Sequence, residues 1–237
     1  MNLLQRGWHT WKRSGVRGFL AALARHAGGL WDRASDRTWD WRLGIETSRL
    51  IEVEDLSAPA HLKRGAMRYQ PTGGRAFRRA MRVVQPGPDD VLVDFGCGKG
   101  RVLLLAARYP FRAVRGVEFS PPLAEAARAH AARAAHEERI EVITGDAGDY
   151  AFRDDETVIF LYNPFGPDVL ERVLARLLAS VGRKPRSVWL VYHQPEFAAV
   201  VERTPGLRLV SRVLTGHRET RLYRLVPGHE GSGPSPG

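Results

Sequence analysis

Val91-Leu92-Val93-Asp94-Phe95-Gly96-Cys97-Gly98-Lys99-Gly100-Arg101, followed by the apolar run 102–107, decides how the rest of the chain is read. A short apolar segment stops at an acid, three glycines stand at alternate positions, and a helical run opens directly behind them. Glycine lets backbone take positive φ and lets a ligand approach it closely. The first N–H groups of the following helix have no intrahelical partner and face whatever the turn delivers. The stretch therefore reads as a strand–loop–helix nucleotide site. Its spacing narrows the choice. A dinucleotide fingerprint, G-x-G-x-x-G, would place the third glycine where Arg101 stands, and here it is Gly100. No Gly-Lys-Ser/Thr closes the loop, as a phosphate-binding P-loop requires.

The pattern Asp94-x-Gly96-x-Gly98-x-Gly100 resembles motif I of the class I S-adenosylmethionine (SAM) dependent methyltransferases. That resemblance implies a loop packed on the methionine part of SAM, with Asp94 at the amino-acid end and the three glycines running beneath the ligand. The next two strands agree with it in order and ending. Residues 113–118 form a second strand ending in Glu118, about 20 residues beyond the glycine loop, where doubly wound folds place the acid that takes ribose hydroxyls. A carboxylate can accept from both hydroxyls of a diol. Ser120-Pro121-Pro122 supplies cap and first-turn chemistry for a helix reaching about residue 135. Residues 139–144 make a third strand closing on Gly145-Asp146-Ala147. In the resembled family that acid accepts from the exocyclic amine of adenine, a role carried to Asp146; the alternative is an ordinary turn aspartate.

Working downstream, 157–161 is a fourth strand followed by Tyr162-Asn163-Pro164-Phe165-Gly166-Pro167-Asp168. Ligands of open α/β sheets collect at the carboxyl ends of strands, so this loop is expected on the methyl-acceptor side. It resembles the Asn-Pro-Pro-Tyr motif of amino-group methyltransferases, with one proline missing. The resemblance implies that within Asn163-Pro164-Phe165 the Asn163 side chain and a neighbouring backbone carbonyl accept from the target amine, with Phe165 beside the nitrogen. A core phenylalanine after an Asn-Pro turn is the alternative. A helix over 167–181 comes next, with Leu170, Val173, Leu174 and Leu177 on one stripe. A fifth strand over 187–192 ends at His193, where a base is possible. The commoner outcome there is a solvated turn histidine. A helix over 196–203 leads to strands at 207–214 and 220–226 joined by a Gly turn, an antiparallel pair.

Upstream, 36–85 is expected to be a cap or lid. Within it Tyr69-Gln70-Pro71-Thr72 precedes a helix over 75–84 and resembles the lid of several seven-stranded methyltransferases, including protein lysine methyltransferases, making Tyr69 and Thr72 candidate cofactor contacts. A plain helix cap is the other reading. In residues 1–35, Trp8, Trp11, Val16, Phe19, Leu20 and Leu23 recur at helical spacing among Arg6, Lys12, Arg13, Arg17 and Arg25. That pattern suits a basic amphipathic helix on an anionic membrane or nucleic acid, a helix packed on its own domain, or a frayed leader. The apolar stretch is broken short of the roughly 20 residues a membrane span needs. No uncharged core precedes a secretory cleavage site.

Composition sets outer limits. At 237 residues and 43% hydrophobic the chain can bury one real core. A single cysteine, Cys97, rules out a disulfide framework and fits a reducing cytoplasm, with peripheral membrane association open through the leader. No Cys/His cluster has metal-ligand spacing, so no metal is expected. The net charge of +10 is mostly arginine and allows an acidic partner without requiring one.

The expected fold is α/β: a three-layer, doubly wound, mostly parallel seven-stranded sheet with an antiparallel last strand, plus an N-terminal helical extension. The expected organisation is a basic extension at 1–35, the cap at 36–85, a SAM-binding methyltransferase domain at 86–226 and a disordered Gly/Pro/Ser tail at 227–237. The expected function is SAM-dependent methyl transfer to an amine of a protein or small molecule. Alternatives are a nucleic-acid base as acceptor, a SAM-binding module without transfer activity, and, disfavoured by the glycine spacing, a NAD-type oxidoreductase.

Overall fold

Strand β1 (Val91–Phe95) is buried at every position, as befits a strand with neighbours on both sides and helices on both faces. It is the third strand across a seven-stranded sheet in a computed structural model that describes residues 38–41, 44–47, 72–134 and 136–227. In chain order the further strands are β2 (Ala113–Glu118), β3 (Ile140–Thr144), β4 (Val158–Leu161), β5 (Val188–His193), β6 (Leu207–Thr215) and β7 (Arg218–Leu225). Their spatial order is β3-β2-β1-β4-β5-β7-β6. β1 pairs in parallel with both β2 and β4, so the order reverses at β1. β7 inserts antiparallel between β5 and β6, as expected for the last strand.

Among the described residues, the helices that follow residue 72 are α1 (Gly74–Val84), α2 (Arg101–Ala106), α3 (Pro121–Ala131), α4 (Pro167–Arg183) and α5 (Ala198–Arg203). Two apolar layers sandwich the sheet. On one face Leu170, Val173, Leu174 and Leu177 of α4 pack on Val93, Phe95, Ile159 and Leu161. On the other, Phe77 and Met81 of α1 and Leu103 and Leu105 of α2 pack on Leu92, Val114 and Phe160. Each fully buried side chain of this size contributes about 1.5–3 kcal/mol, so the sheet is held rigid beneath its loops.

Boundaries differ where local chemistry overrides periodicity. The helix expected to run to 135 ends at Ala131. The one expected to start at Glu196 starts at Ala198, because Gln194 takes left-handed backbone and its carbonyl accepts from the Glu196 N–H. The leader at 1–35, Tyr69 and most of the cap lie outside the described residues. Among the described residues, no helix is long and apolar enough to cross a membrane and no group of three or more His, Cys, Asp or Glu could hold a metal ion.

Candidate active site

The tips of β1 and β2 carry the glycine loop. Gly96, Gly98 and Gly100 all take positive φ, at 73°, 53° and 81°, conformations that cost a side-chain-bearing residue about 1–2 kcal/mol each. Gly96 and Cys97 N–H groups donate to the Val117 carbonyl at 2.8 and 3.1 Å, which fastens the loop to β2. A Cβ on Gly100 would crowd Ala127 of α3. Gly100 thus lets α2 start tight against its neighbour.

Two carboxylates lie under this loop. Glu118 is buried and accepts from the Gly98 N–H and the Ser120 N–H, each at 2.9 Å. Burial pushes its carboxyl up, and the backbone N–H groups of Ser120, Gly98 and Phe119 partly offset this. Asp94 is 3% exposed. No hydrogen-bond donor reaches it among the described residues. Burial, and then the neighbouring Glu118, push its carboxyl well above the ordinary range. A buried acid without a donor, beside a second acid, is costly unless a cation arrives. Cys97 is buried too, and its thiol is pushed up by burial and by both acids, which removes it as a nucleophile.

Asp146, at the tip of β3, is bound differently. Its Oδ1 accepts from the Gly148 N–H at 2.8 Å and its Oδ2 from Arg172 Nη2 at 2.9 Å. Gly148 permits that pair, since a Cβ there would collide with the Arg172 guanidinium. Asp146 is at once a turn aspartate and an acid at a strand tip beside β2.

The β4 loop reaches the same place. A Cβ on Gly96 would lie 2.5 Å from Pro164 Cβ, so the Asn163-Pro164 turn rests directly on the glycine loop. Asn163 has left-handed backbone, φ 42°, and so does Gln194 at the tip of the adjacent β5, φ 48°. Strained non-glycine backbone of this kind gathers at functional sites. The Asn163 carboxamide is fixed at both ends: Tyr192 Oη donates to Oδ1 at 3.1 Å, and Nδ2 donates to Glu196 Oε2 at 2.6 Å. Phe165 is buried in the α4 face of the core, so it is a core phenylalanine that anchors the loop.

His193 is fully buried, not the solvated turn histidine that its position suggested. Its Nδ1 shares a 2.7 Å hydrogen bond with Thr220 Oγ1, and its ring packs edge-on to Tyr162 at 4.6 Å. Burial lowers its pKa to about 3 and keeps it neutral.

Sequence reasoning missed a clasp. Arg101, the first residue of α2, is buried and donates to Asp40 Oδ1 and Thr47 Oγ1, both at 2.8 Å, and to the Thr72 carbonyl at 2.9 Å. Its guanidinium also stacks over the Trp39 ring at 5.1 Å. Lys99 of the loop pairs with Glu46. Residues 38–41 and 44–47 and Thr72 are thereby pinned to the end of the glycine loop, with Thr72 buried. The only sequence signal was an arginine directly after the last glycine, facing an acid 61 residues away in the chain.

Similarities to known proteins bear on this arrangement. Residues 92–183 match the methyltransferase domain family. A 58-residue stretch is 43% identical to a tRNA1(Val) (adenine(37)-N6)-methyltransferase of Porphyromonas gingivalis, over 24% of this chain and 23% of that protein. A 53-residue stretch is 34% identical to a protein-lysine N-methyltransferase of Saccharolobus islandicus, over 22% and 33%. The chain thus spans about a quarter to a third of the length of these curated relatives. An RNA methyltransferase from Salinibacter ruber, crystallised with S-adenosyl-L-homocysteine, superposes with a TM-score of 0.51 at 20% identity, over 66% of this chain and 94% of that one. That likeness shows the fold: a class I methyltransferase sheet.

Proposed function

We propose that this chain, whose residues 92–183 match a methyltransferase domain, transfers the methyl group of SAM to an amine nitrogen. The observation that carries the proposal is the contact of Gly96 with Pro164, which sets an acceptor-type loop on a cofactor-type loop above an unpartnered buried acid.

The residues present fit SAM. The cofactor carries a cationic amino-acid end, a ribose diol and an adenine amine. In the proposal Asp94 takes the ammonium, which relieves its like-charge contact with Glu118. Glu118 takes the ribose hydroxyls on the lone pairs its backbone donors leave free. Asp146, positioned by Arg172, accepts from the adenine amine. Gly96, Gly98 and Gly100 admit the ligand to the backbone, while Tyr69 and Thr72 close the methionine end, Thr72 through the Arg101 clasp. SAM, when bound, supplies a methyl group on a positively charged sulfur.

The protein's part is orientation. Asn163 offers a carbonyl lone pair to the incoming N–H on a loop that Pro164 and the buried Phe165 hold still. Holding the reacting atoms in line supplies a large share of the rate. In this reading residues 1–35 are a basic arm for an anionic membrane or nucleic acid, outside the 86–226 catalytic domain. A nucleic-acid base as acceptor is the second reading, favoured by the tRNA-modifying relative and the charge of +10. The test is calorimetry with S-adenosylhomocysteine beside transfer of tritium from labelled SAM. Asn163→Ala is expected to bind S-adenosylhomocysteine normally and to lose transfer. Normal transfer by that variant overturns the acceptor-loop assignment, and absence of binding by the unaltered protein overturns the cofactor.

A further inference from the structure

We infer that Glu196 selects the methyl acceptor and that the acceptor is a protonated alkylamine of the lysine-side-chain type. The inference rests on the amine-transfer reading above and adds a residue and a charge to it.

Glu196 stands in the turn between β5 and α5, exposed, with its Oε2 2.6 Å from Asn163 Nδ2. The amide it accepts from cannot turn over. Tyr192 Oη donates to Asn163 Oδ1 at 3.1 Å and itself accepts from the Phe197 N–H at 3.4 Å, so the hydroxyl hydrogen is directed at Asn163. Two acceptors therefore stand side by side beyond Pro164: the second lone pair of Asn163 Oδ1 and the free lone pairs of the Glu196 carboxylate. No lysine or arginine pairs with Glu196 among the described residues, although the chain carries 36 of them. Among the described residues the acceptor side of the site is thus left negative.

That chemistry suits an alkylammonium, which brings three N–H donors and a positive charge to two acceptors and a carboxylate. It suits the exocyclic amine of a base poorly. Such an amine is neutral, and a base taken from its stack is held by an aromatic or apolar face. Phe165, the aromatic after the turn, is buried in the core, the next residue is Gly166, and the half-buried Tyr162 ring is packed on His193. The ammonium first gives one proton to solvent water. The neutral amine then attacks the methyl carbon, so that the N–C bond forms as the C–S bond breaks and sulfur keeps the electron pair as a thioether. The positive charge passes from sulfur to nitrogen, beside the Glu196 carboxylate already oriented to meet it.

The experiment incubates the full chain with tritiated SAM and four probes: poly-L-lysine, N-α-acetyl-lysine, spermidine and an adenine-rich single-stranded RNA. Label is expected in the alkylamines and not in the RNA, and the first three probes separate a polypeptide-borne amine from a free one. Glu196→Gln is expected to raise the KM for the labelled amine about tenfold or more, the scale of one charged hydrogen bond, with a smaller change in kcat. That gap should narrow as pH approaches about 10, where the amine loses its charge. S-adenosylhomocysteine affinity should stay at the unaltered value. Label in the RNA but not the amines, no label in any amine, or an unchanged KM in Glu196→Gln overturns the inference while cofactor binding still stands. Failure of the unaltered protein to bind S-adenosylhomocysteine is instead a failure of the proposed function.

Discussion

Two clusters of buried charge lie on opposite faces of β2, and they are built on opposite rules. Arg115 and Glu118 are three residues apart, so strand alternation sends their side chains to different sides of the sheet. Around Arg115 the charge is paired: its guanidinium meets Asp155 at 2.5 and 2.9 Å and Glu156 at 3.0 Å. The fully buried Glu156 also accepts from Tyr150 Oη at 2.9 Å and the Arg153 N–H at 3.0 Å. Around Glu118 the charge is unpaired, with two acids side by side and no cation among the described residues. A buried ion network with its partners in place holds a fold together. A buried acid pair without a partner costs stability, and the fold keeps it at the strand tips where ligands of such sheets collect. In the proposed function the paired cluster is structure and the unpaired one is the site.

The largest effect should come from breaking the satisfied cluster. Arg115→Ala removes the closer of the two arginines that face the buried Glu156, leaving only Arg186 at 3.7 Å, and is expected to cost about 3–5 kcal/mol of stability in denaturant unfolding. The folded fraction should bind S-adenosylhomocysteine as before. A loss of affinity larger than the loss of stability would show that both clusters belong to one site.

Asp94→Asn should do the reverse. Removing an uncompensated buried charge is expected to keep or raise Tm, while cofactor binding weakens by about 1.5–3 kcal/mol, the scale of a hydrogen bond to a charged group. Calorimetry beside thermal unfolding reads both. A marked fall in Tm at unchanged affinity would make Asp94 a structural residue.

Gly96→Ala tests the contact between the two loops. Left-handed backbone alone costs about 1–2 kcal/mol, and the new Cβ would also have to displace Pro164. Methyl transfer is expected to fall more than affinity for S-adenosylhomocysteine, since the acceptor loop is what moves.

The smallest effect is on pH dependence. Asp94 and Glu118 hold protons in the folded protein at pH values where the unfolded chain has released them, because both pKa values are raised. Between the ordinary carboxylate range and those raised values, stability from this pair is lost as pH rises. A cationic ligand favours the ionised acids, so affinity for SAM should increase with pH across the same window, and Asp94→Asn should flatten that slope. His193 acts in the opposite sense. Its pKa is lowered to about 3, so it contributes stability that is present above pH 6.5 and is lost as pH falls below that value. Unfolding midpoints with and without cofactor separate the two.

Much of the fold and part of the site are legible in the residues alone. The glycine loop, the acids ending the first three strands and the antiparallel close all rest on local rules: positive φ, alternation and turn composition. His193 was not legible, because a histidine at a strand tip is exposed or buried according to what packs over it, here Tyr162 and Thr220. Nor was the fate of Phe165, since an aromatic after Asn-Pro can face either the ligand or the core. The Arg101 clasp was invisible for a related reason: its partners Asp40, Thr47 and Thr72 come from chain segments that only folding brings together.

The sequence by itself determined the order of strands and helices and the acids at the strand tips, because backbone conformation and apolar periodicity are properties of neighbouring residues. The tertiary structure alone decided which buried charges are paired, that the Asn163 turn rests on Gly96, and that Glu196 fixes the Asn163 amide. Those facts depend on distances between residues remote in the chain, and such distances exist only once the sheet has closed.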